Sequence, residues 1–169
     1  SIVYGFFGLV VIVPIMRDLF GGSGKSVLTA SILLGIMILP TLISVGEASI
    51  RAVPESYYEG ALALGATPEE TVFKVMLPAA KSGLTAGVIL AIDRSIGEAM
   101  AVSMVAGNQP IIPDSLLSGV RTLTANIVLE MGYAADMHRE ALLATGVVLF
   151  IFILLINLSF SLLRRRDDK

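Results

Sequence analysis

The stretch ALLATGVVLFIFILLINLSFSLL, Ala141 to Leu163, holds 23 consecutive residues without a charge. A helix needs about 20 apolar residues to cross a hydrocarbon core of ~30 Å, so this stretch alone argues for a membrane protein. Working outward, Ser26 to Gly46 is a second uncharged run of 21 residues, and Ser1 to Met16 a third of 16. The third is short, as a truncated or tilted span would be. No basic region precedes it and no A-x-A site follows, which argues against a signal peptide. Ser82 to Ala106 is apolar apart from Asp93, Arg94 and Glu98. The reading is an all-α polytopic helical bundle with four spans, about 1–16, 26–47, 82–106 and 141–163. Pro14 and Pro40 fall inside spans, where kinks are expected and neighbouring groups satisfy the freed carbonyls. Gly83 and Gly87 form a small-xxx-small pair that permits close helix contact.

Composition agrees. The 169 residues are 55% apolar and only 15% charged, with no cysteine and a net charge of −2, and the mean hydropathy is +0.84. Soluble domains carry roughly 25% charge. Disordered and collagen-like chains are excluded, as are a disulfide scaffold and a thiolate metal site. There is no basic excess for nucleic acid. The chain opens on Ser1 and enters an apolar run at once, so a fragment lacking N-terminal helices is expected.

Orientation follows from basic residues. The stretch 48–81 carries Arg51, Lys74 and Lys81, and the tail carries Arg164, Arg165, Arg166 and Lys169. The opposite side would carry Arg17, Lys25, Arg121 and Arg139, seven against four. The positive-inside rule then puts residues 51–81 and the C-terminal tail in the cytoplasm, and 107–140 outside.

The segment PESYYEGALALGATPEETVFKVMLP, Pro54 to Pro78, reads as two short capped helices. Pro54 fits a first helical turn, where its missing N–H costs nothing. Gly65 is a natural C′ residue. Thr67, Pro68 and Glu70 compose a capping box with proline at the first helical position, and the second helix is expected to end before Pro78. Two uses suit such an elbow: an amphipathic hairpin lying on lipid, or a docking element for a cytoplasmic partner.

The run Glu59 to Pro78 resembles the EAA loop of ABC-importer permeases: E-A-A, three residues, Gly, nine residues, Ile, one residue, Leu-Pro. Here Glu59, Gly60 and Ala61 stand for E-A-A, Gly65 for the glycine, and Val75, Leu77 and Pro78 for the end. Gly60 replaces an alanine and Val75 an isoleucine. The resemblance implies the type I (MetI-like) permease fold. It also implies that the loop seats in a groove of an ATP-hydrolysing subunit, with Glu59 a polar contact, Gly65 the sharp turn and Pro78 the return to the membrane.

Charges at membrane depth cost at least ~2.5–3.5 kcal/mol each, so Asp93, Arg94 and Glu98 need a reason to be there. Arg94 and Glu98 are four apart and would share one helical face. They could form an ion pair that fixes packing, or line an anion pathway. Arginine suits oxyanions through its planar, permanently charged fork. A carboxylate can accept a hydrogen bond from a P–OH group, which sulfate lacks near neutral pH, and so reject the wrong anion.

RSIGEAMAVSMVAGN, from Arg94 to Asn108, is similar to the R-A-x-G-E-T-M-A-V stretch of phosphate-specific ABC permeases. RTLTANIVLEMGYA, HREAL and YGFFGL resemble the C-type subunits of that Pst family as well. The resemblance implies a phosphate-path role for Arg94 and Glu98, while Asp93 stands where a small residue is expected and Ala99 replaces a threonine. It further implies an A-type permease partner, two ATP-binding subunits carrying ATP–Mg, an extracytoplasmic phosphate-binding protein, and a bacterial or archaeal cell membrane. No cofactor is expected in this chain. The alternatives are an importer of molybdate or sulfate, and an intramembrane lipid-phosphate enzyme using Asp93, Glu98 and Glu130. An enzyme has no use for a docking elbow.

In the outer loop, Asn108 to Pro113 is a turn-rich entry and Thr122 to Met131 an apolar helix closed by Gly132. The loop reads as a cap on the outer mouth or as a contact for an extracytoplasmic binding protein, with Arg121, Arg139 and Glu140 as candidate contacts. His138, the single histidine, reads as a surface residue, since no zinc-like cluster accompanies it. GGSGKS, Gly21 to Ser26, lacks the five-residue spacing of a phosphate-binding loop and reads as a flexible connector, so ATP hydrolysis must come from another chain.

Overall fold

A computed structural model describes the backbone of residues 1–167 and the side chains of residues 1–162. The basic residues of the tail fall outside this description, Arg164, Arg165 and Arg166 in their side chains and Lys169 altogether.

The expected all-helical class holds, with no β-strand among the described residues. The elements are α1 (Ile2–Phe7), α2 (Val13–Phe20), α3 (Val27–Arg51), α4 (Glu55–Ala63), α5 (Pro68–Thr71), α6 (Leu77–Ala79), α7 (Lys81–Ile96), α8 (Met100–Val105), α9 (Leu123–Glu130) and α10 (Asp136–Asp167). Three helical stretches are long and apolar enough to cross a membrane: Ile2–Phe20, Val27–Arg51 and Asp136–Leu162. A fourth arises if Pro68–Ala79 and Lys81–Ile96, bent by 67°, count as one span. The expected span 82–106 is not one helix. It stops at Ile96, and α8 restarts at Met100.

Single π turns, Gly8–Ile12 and Val72–Met76, join α1 to α2 and α5 to α6. Each lies just ahead of a proline, Pro14 or Pro78. In an α-helix a proline ring collides with the carbonyl four residues back. Here the residue before each proline donates five residues back instead, Val13 to Gly8 and Leu77 to Val72. The wider turn relieves the clash, which is why the elbow's second helical segment continues through Pro78 to Ala79 rather than ending before it. α3 also runs unbroken through Pro40.

Contacts divide the chain into two compact units. The first comprises Ser1–Ile38 and Arg94–Ile156. Its core joins Ile12, Val13 and Met16 to Ala30, Leu33 and Met37 of α3 and to Ala101, Val102 and Val105 of α8. Helix α1 reaches α8 through Gly5, where a Cβ would stand 2.9 Å from the Ala101 Cα. The first amides of α3 lack helical partners. Ser26, Val27 and Leu28 donate instead to the carbonyls of Val105, Ser118 and Leu116. The glycine-rich connector is a held turn rather than a flexible one, since the buried Thr29 hydroxyl donates to the Gly24 carbonyl at 2.6 Å. The second unit comprises Leu39–Asp93 and the residues from Asn157 onward. There Gly83 and Gly87 bring α7 onto α3: a Cβ would stand 2.8 Å from the Ser49 Cβ and 2.8 Å from the Val45 Cγ1 respectively. Close backbone approach of this kind is how helices gain contact in lipid, where no hydrophobic force drives them together.

Candidate functional site

The elbow is built by local chemistry. Helix α4 ends in a Schellman motif around Gly65, whose φ is +91°. The Ala66 amide donates to the Ala61 carbonyl and the Gly65 amide to the Leu62 carbonyl, which satisfies two carbonyls that the helix end orphans. Helix α5 opens with the complete capping box: the Thr67 hydroxyl accepts from the Glu70 amide, and the Glu70 carboxylate accepts from the Thr67 amide. Lys74 Nζ closes on Glu70 Oε1 at 2.9 Å.

Glu59, Gly60, Gly65 and Pro78 are exposed, whereas Ala61, Val75 and Leu77 are half-buried. The elbow also exposes large apolar side chains, with Leu64 91% and Phe73 69% accessible beside Tyr57 and Val72. The capped two-helix corner thus presents an acid, Glu59, and several exposed apolar groups together.

The second site is the break between α7 and α8. Arg94 stands exposed on the last turn of α7, where a cation is favoured by the unpaired carbonyls. Glu98 lies beyond the end of α7, so the i,i+4 relation to Arg94 is lost and no ion pair joins them. Glu98 instead uses its carboxylate locally. Oε1 accepts from the Ala101 amide at 3.1 Å, capping α8, and Oε2 accepts from the Ser1 hydroxyl at 2.8 Å. Its carbonyl accepts from the Thr124 hydroxyl at 3.1 Å. In the second unit, the Asn157 amide, turned with its nitrogen toward Asp93, donates to both carboxylate oxygens at 3.0 and 2.7 Å.

Arg121, a candidate partner contact, makes internal bonds. It donates to the Asn108 carbonyl, to Asn126 Oδ1 and to Glu130 Oε1, the last at 2.8 Å. The Arg121 and Glu130 side chains are only 25% and 18% accessible. The Tyr133 hydroxyl donates to Glu130, and this bond, with the Arg121 charge, holds the Glu130 carboxyl below its ordinary value. The same bond pushes the Tyr133 phenol up. His138 is half-exposed, with Nε2 3.7 Å from Glu130 Oε2, so it edges a charged cluster rather than standing alone. The expected glycine closure of α9 is absent: the helix ends at Met131 in right-handed geometry, and Gly132 has no positive φ. Arg139 and Glu140 remain exposed. No set of three or more metal-ligating side chains converges among the described residues.

Reading the sequence missed Thr124, Ser1 and Asn157 as partners of Glu98 and Asp93. Thr122 carried a signal, since a threonine ahead of an apolar run is an N-cap pattern, and it does cap α9 through the Ala125 amide. Nothing in the spacing pointed from Thr124 to Glu98, 26 residues away.

The chain is 42% identical over 164 residues to the probable ABC transporter permease protein YqgH of Bacillus subtilis strain 168, covering 93% of this chain and 53% of that protein. It is 32% identical over 190 residues to the phosphate transport system permease protein PstC of Pasteurella multocida, covering 100% of this chain and 59% of the relative. It is 33% identical over 177 residues to the probable phosphate transport system permease protein PstC of the archaeon Methanocaldococcus jannaschii, covering 94% and 56%. The chain thus spans about half the length of the curated relatives it matches. No solved structure matches it. A family model covers residues 1–168. With its apolar spans and its capped elbow, the chain belongs to the family of binding-protein-dependent transport system inner membrane components.

Proposed function

We propose that the chain is part of the membrane-spanning permease of an ATP-driven phosphate importer, matching the C-type subunit. It would work beside a second permease subunit, two ATP-binding subunits and an extracytoplasmic phosphate-binding protein. The observation that carries this reading is the elbow. A capped, exposed two-helix corner has a use in a permease driven by a separate ATPase. Glu59 to Pro78 receive the mechanical input in this reading, with the elbow and the C-terminal tail on the cytoplasmic face. Glu59 makes the polar contact, Gly60 and Ala61 keep the helix surface low, and Gly65 sets the corner. Val75 and Leu77, half-buried, anchor it ahead of Pro78. Phosphate as the cargo is supported by the names of the relatives and by two ionisable groups, Arg94 and Glu98, at the interrupted span. An interrupted span is where transporters place substrate sites.

Uptake decides it. The complete permease is expressed with its partner subunits in cells lacking phosphate importers. Labelled phosphate uptake is then measured beside Arg94→Gln, with excess sulfate and molybdate as competitors. The expected result is uptake that resists both competitors and is lost in Arg94→Gln with assembly intact. Uptake surviving the substitution makes Arg94 a packing residue. An assembled, ATP-hydrolysing complex that moves no phosphate keeps the permease and rejects the cargo.

A further inference from the structure

The interruption after Ile96 leaves backbone carbonyls without helical partners, a costly arrangement at membrane depth. The carbonyl of Glu98, in the break between α7 and α8, accepts from the Thr124 hydroxyl on α9 at 3.1 Å. Thr124 also contacts the Thr122 hydroxyl at 3.1 Å, and Thr122 caps α9 by accepting from the Ala125 amide. At its other end α9 is held by Arg121, through Asn126 and Glu130. The outer segment is therefore gripped at one end by an ion pair and joined at the other to the backbone of Glu98. A cavity of about 220 Å3 opens beside this junction, lined by Glu98, Ser31, Val102, Thr122 and Thr124 among others. It leaves the Glu98 carboxylate room to move if its backbone is released.

We infer that Thr124 is a positioning residue: its hydrogen bond to the Glu98 carbonyl sets where the Glu98 carboxylate stands in the anion pathway. This rests on the reading of Glu98 as a pathway residue. Thr124 touches no cargo; it acts through the break. Deleting the hydroxyl frees the carbonyl, and the carboxylate then loses its fixed place against the Ala101 amide.

The test uses the complete permease in its assembled importer, reconstituted in vesicles, with Thr124→Val, Thr124→Ser, Glu98→Gln and the double variant Thr124→Val/Glu98→Gln. Losing one neutral hydrogen bond is worth about fivefold in an equilibrium. KM for phosphate is expected to rise by about that factor in Thr124→Val with kcat much less affected. Thr124→Ser is expected to restore it, and the double variant to be no worse than Glu98→Gln alone. Hydrogen exchange of the peptide 98–105 is measured in parallel and needs no phosphate. It should quicken about fivefold in Thr124→Val and not in Thr124→Ser. Unchanged exchange, an unchanged KM, equal losses in the valine and serine variants, or additive losses in the double variant each overturn the inference. A wild-type importer that moves no phosphate rejects the phosphate reading instead, and the exchange data alone then support or overturn the link between Thr124 and the break.

Discussion

Gly65 offers the sharpest test of the elbow, because its cost can be worked from two observations. Its φ is +91°, in the left-handed region, and nothing lies within 4 Å of where a Cβ would sit. A substitution there meets no steric obstacle, so its whole penalty is backbone strain. That strain is ~1–2 kcal/mol for an L-residue, with asparagine among the few that visit the region routinely. One to two kcal/mol lowers the population of the formed corner by a factor of about 5–30. The Schellman bonds from Gly65 and Ala66 to Leu62 and Ala61 are lost with it. The ordering expected is therefore glycine best, then asparagine, alanine, and valine worst, since a β-branched residue tolerates positive φ least. The assay is co-purification of the ATP-binding subunit with the assembled permease, together with phosphate moved per ATP hydrolysed at equal complex content. If Gly65→Val couples as well as Gly65→Asn, the left-handed turn is not what the elbow needs and the reasoning fails.

The remaining predictions concern stability. Gly87→Val places a side chain on the Val45 methyl, 2.8 Å from the new Cβ, and overpacking of this kind costs ~1–3 kcal/mol. The variant should melt earlier in detergent, while Gly35→Val on α3, where nothing lies within 4 Å, should melt with the wild type. Glu130 has a folded pKa below its ordinary value of 4.5, so the stability it contributes is present above that pH and is lost as the pH falls through the folded value. Glu130→Gln should flatten this acid limb of the melting profile, and a variant that keeps the limb assigns it to other carboxylates. The raised Tyr133 phenol predicts the mirror effect at alkaline pH, stability present below its ordinary value of 10.0 and lost above, absent in Tyr133→Phe.

How much of this protein its sequence determines depends on the range of the interaction involved. The membrane class is a matter of uncharged length, and Ala141 to Leu163 suffices for it. The elbow is legible residue by residue because its determinants are local. Thr67 and Glu70 cap each other across three positions, and Gly65 is needed where the chain turns left-handed. Even the small-residue pair Gly83 and Gly87 could be read, although not the helix it meets. The interrupted span was not legible. The stretch from Ser82 to Ala106 is apolar apart from Asp93, Arg94 and Glu98 and holds no proline to mark a break, and the i,i+4 pairing of Arg94 with Glu98 follows from taking it as one helix. Tertiary contacts decide otherwise: the Thr124 hydroxyl takes the Glu98 carbonyl, and the Ser1 hydroxyl takes one carboxylate oxygen, from 97 residues away. The fate of Arg121 was likewise settled by Glu130, Asn126 and Asn108 converging on one guanidinium. Backbone caps and hydrophobic length act over a few neighbours and are written in order along the chain. The partner of a buried carbonyl or charge is whichever group the packed helices bring within about 3 Å, and sequence order does not carry that distance.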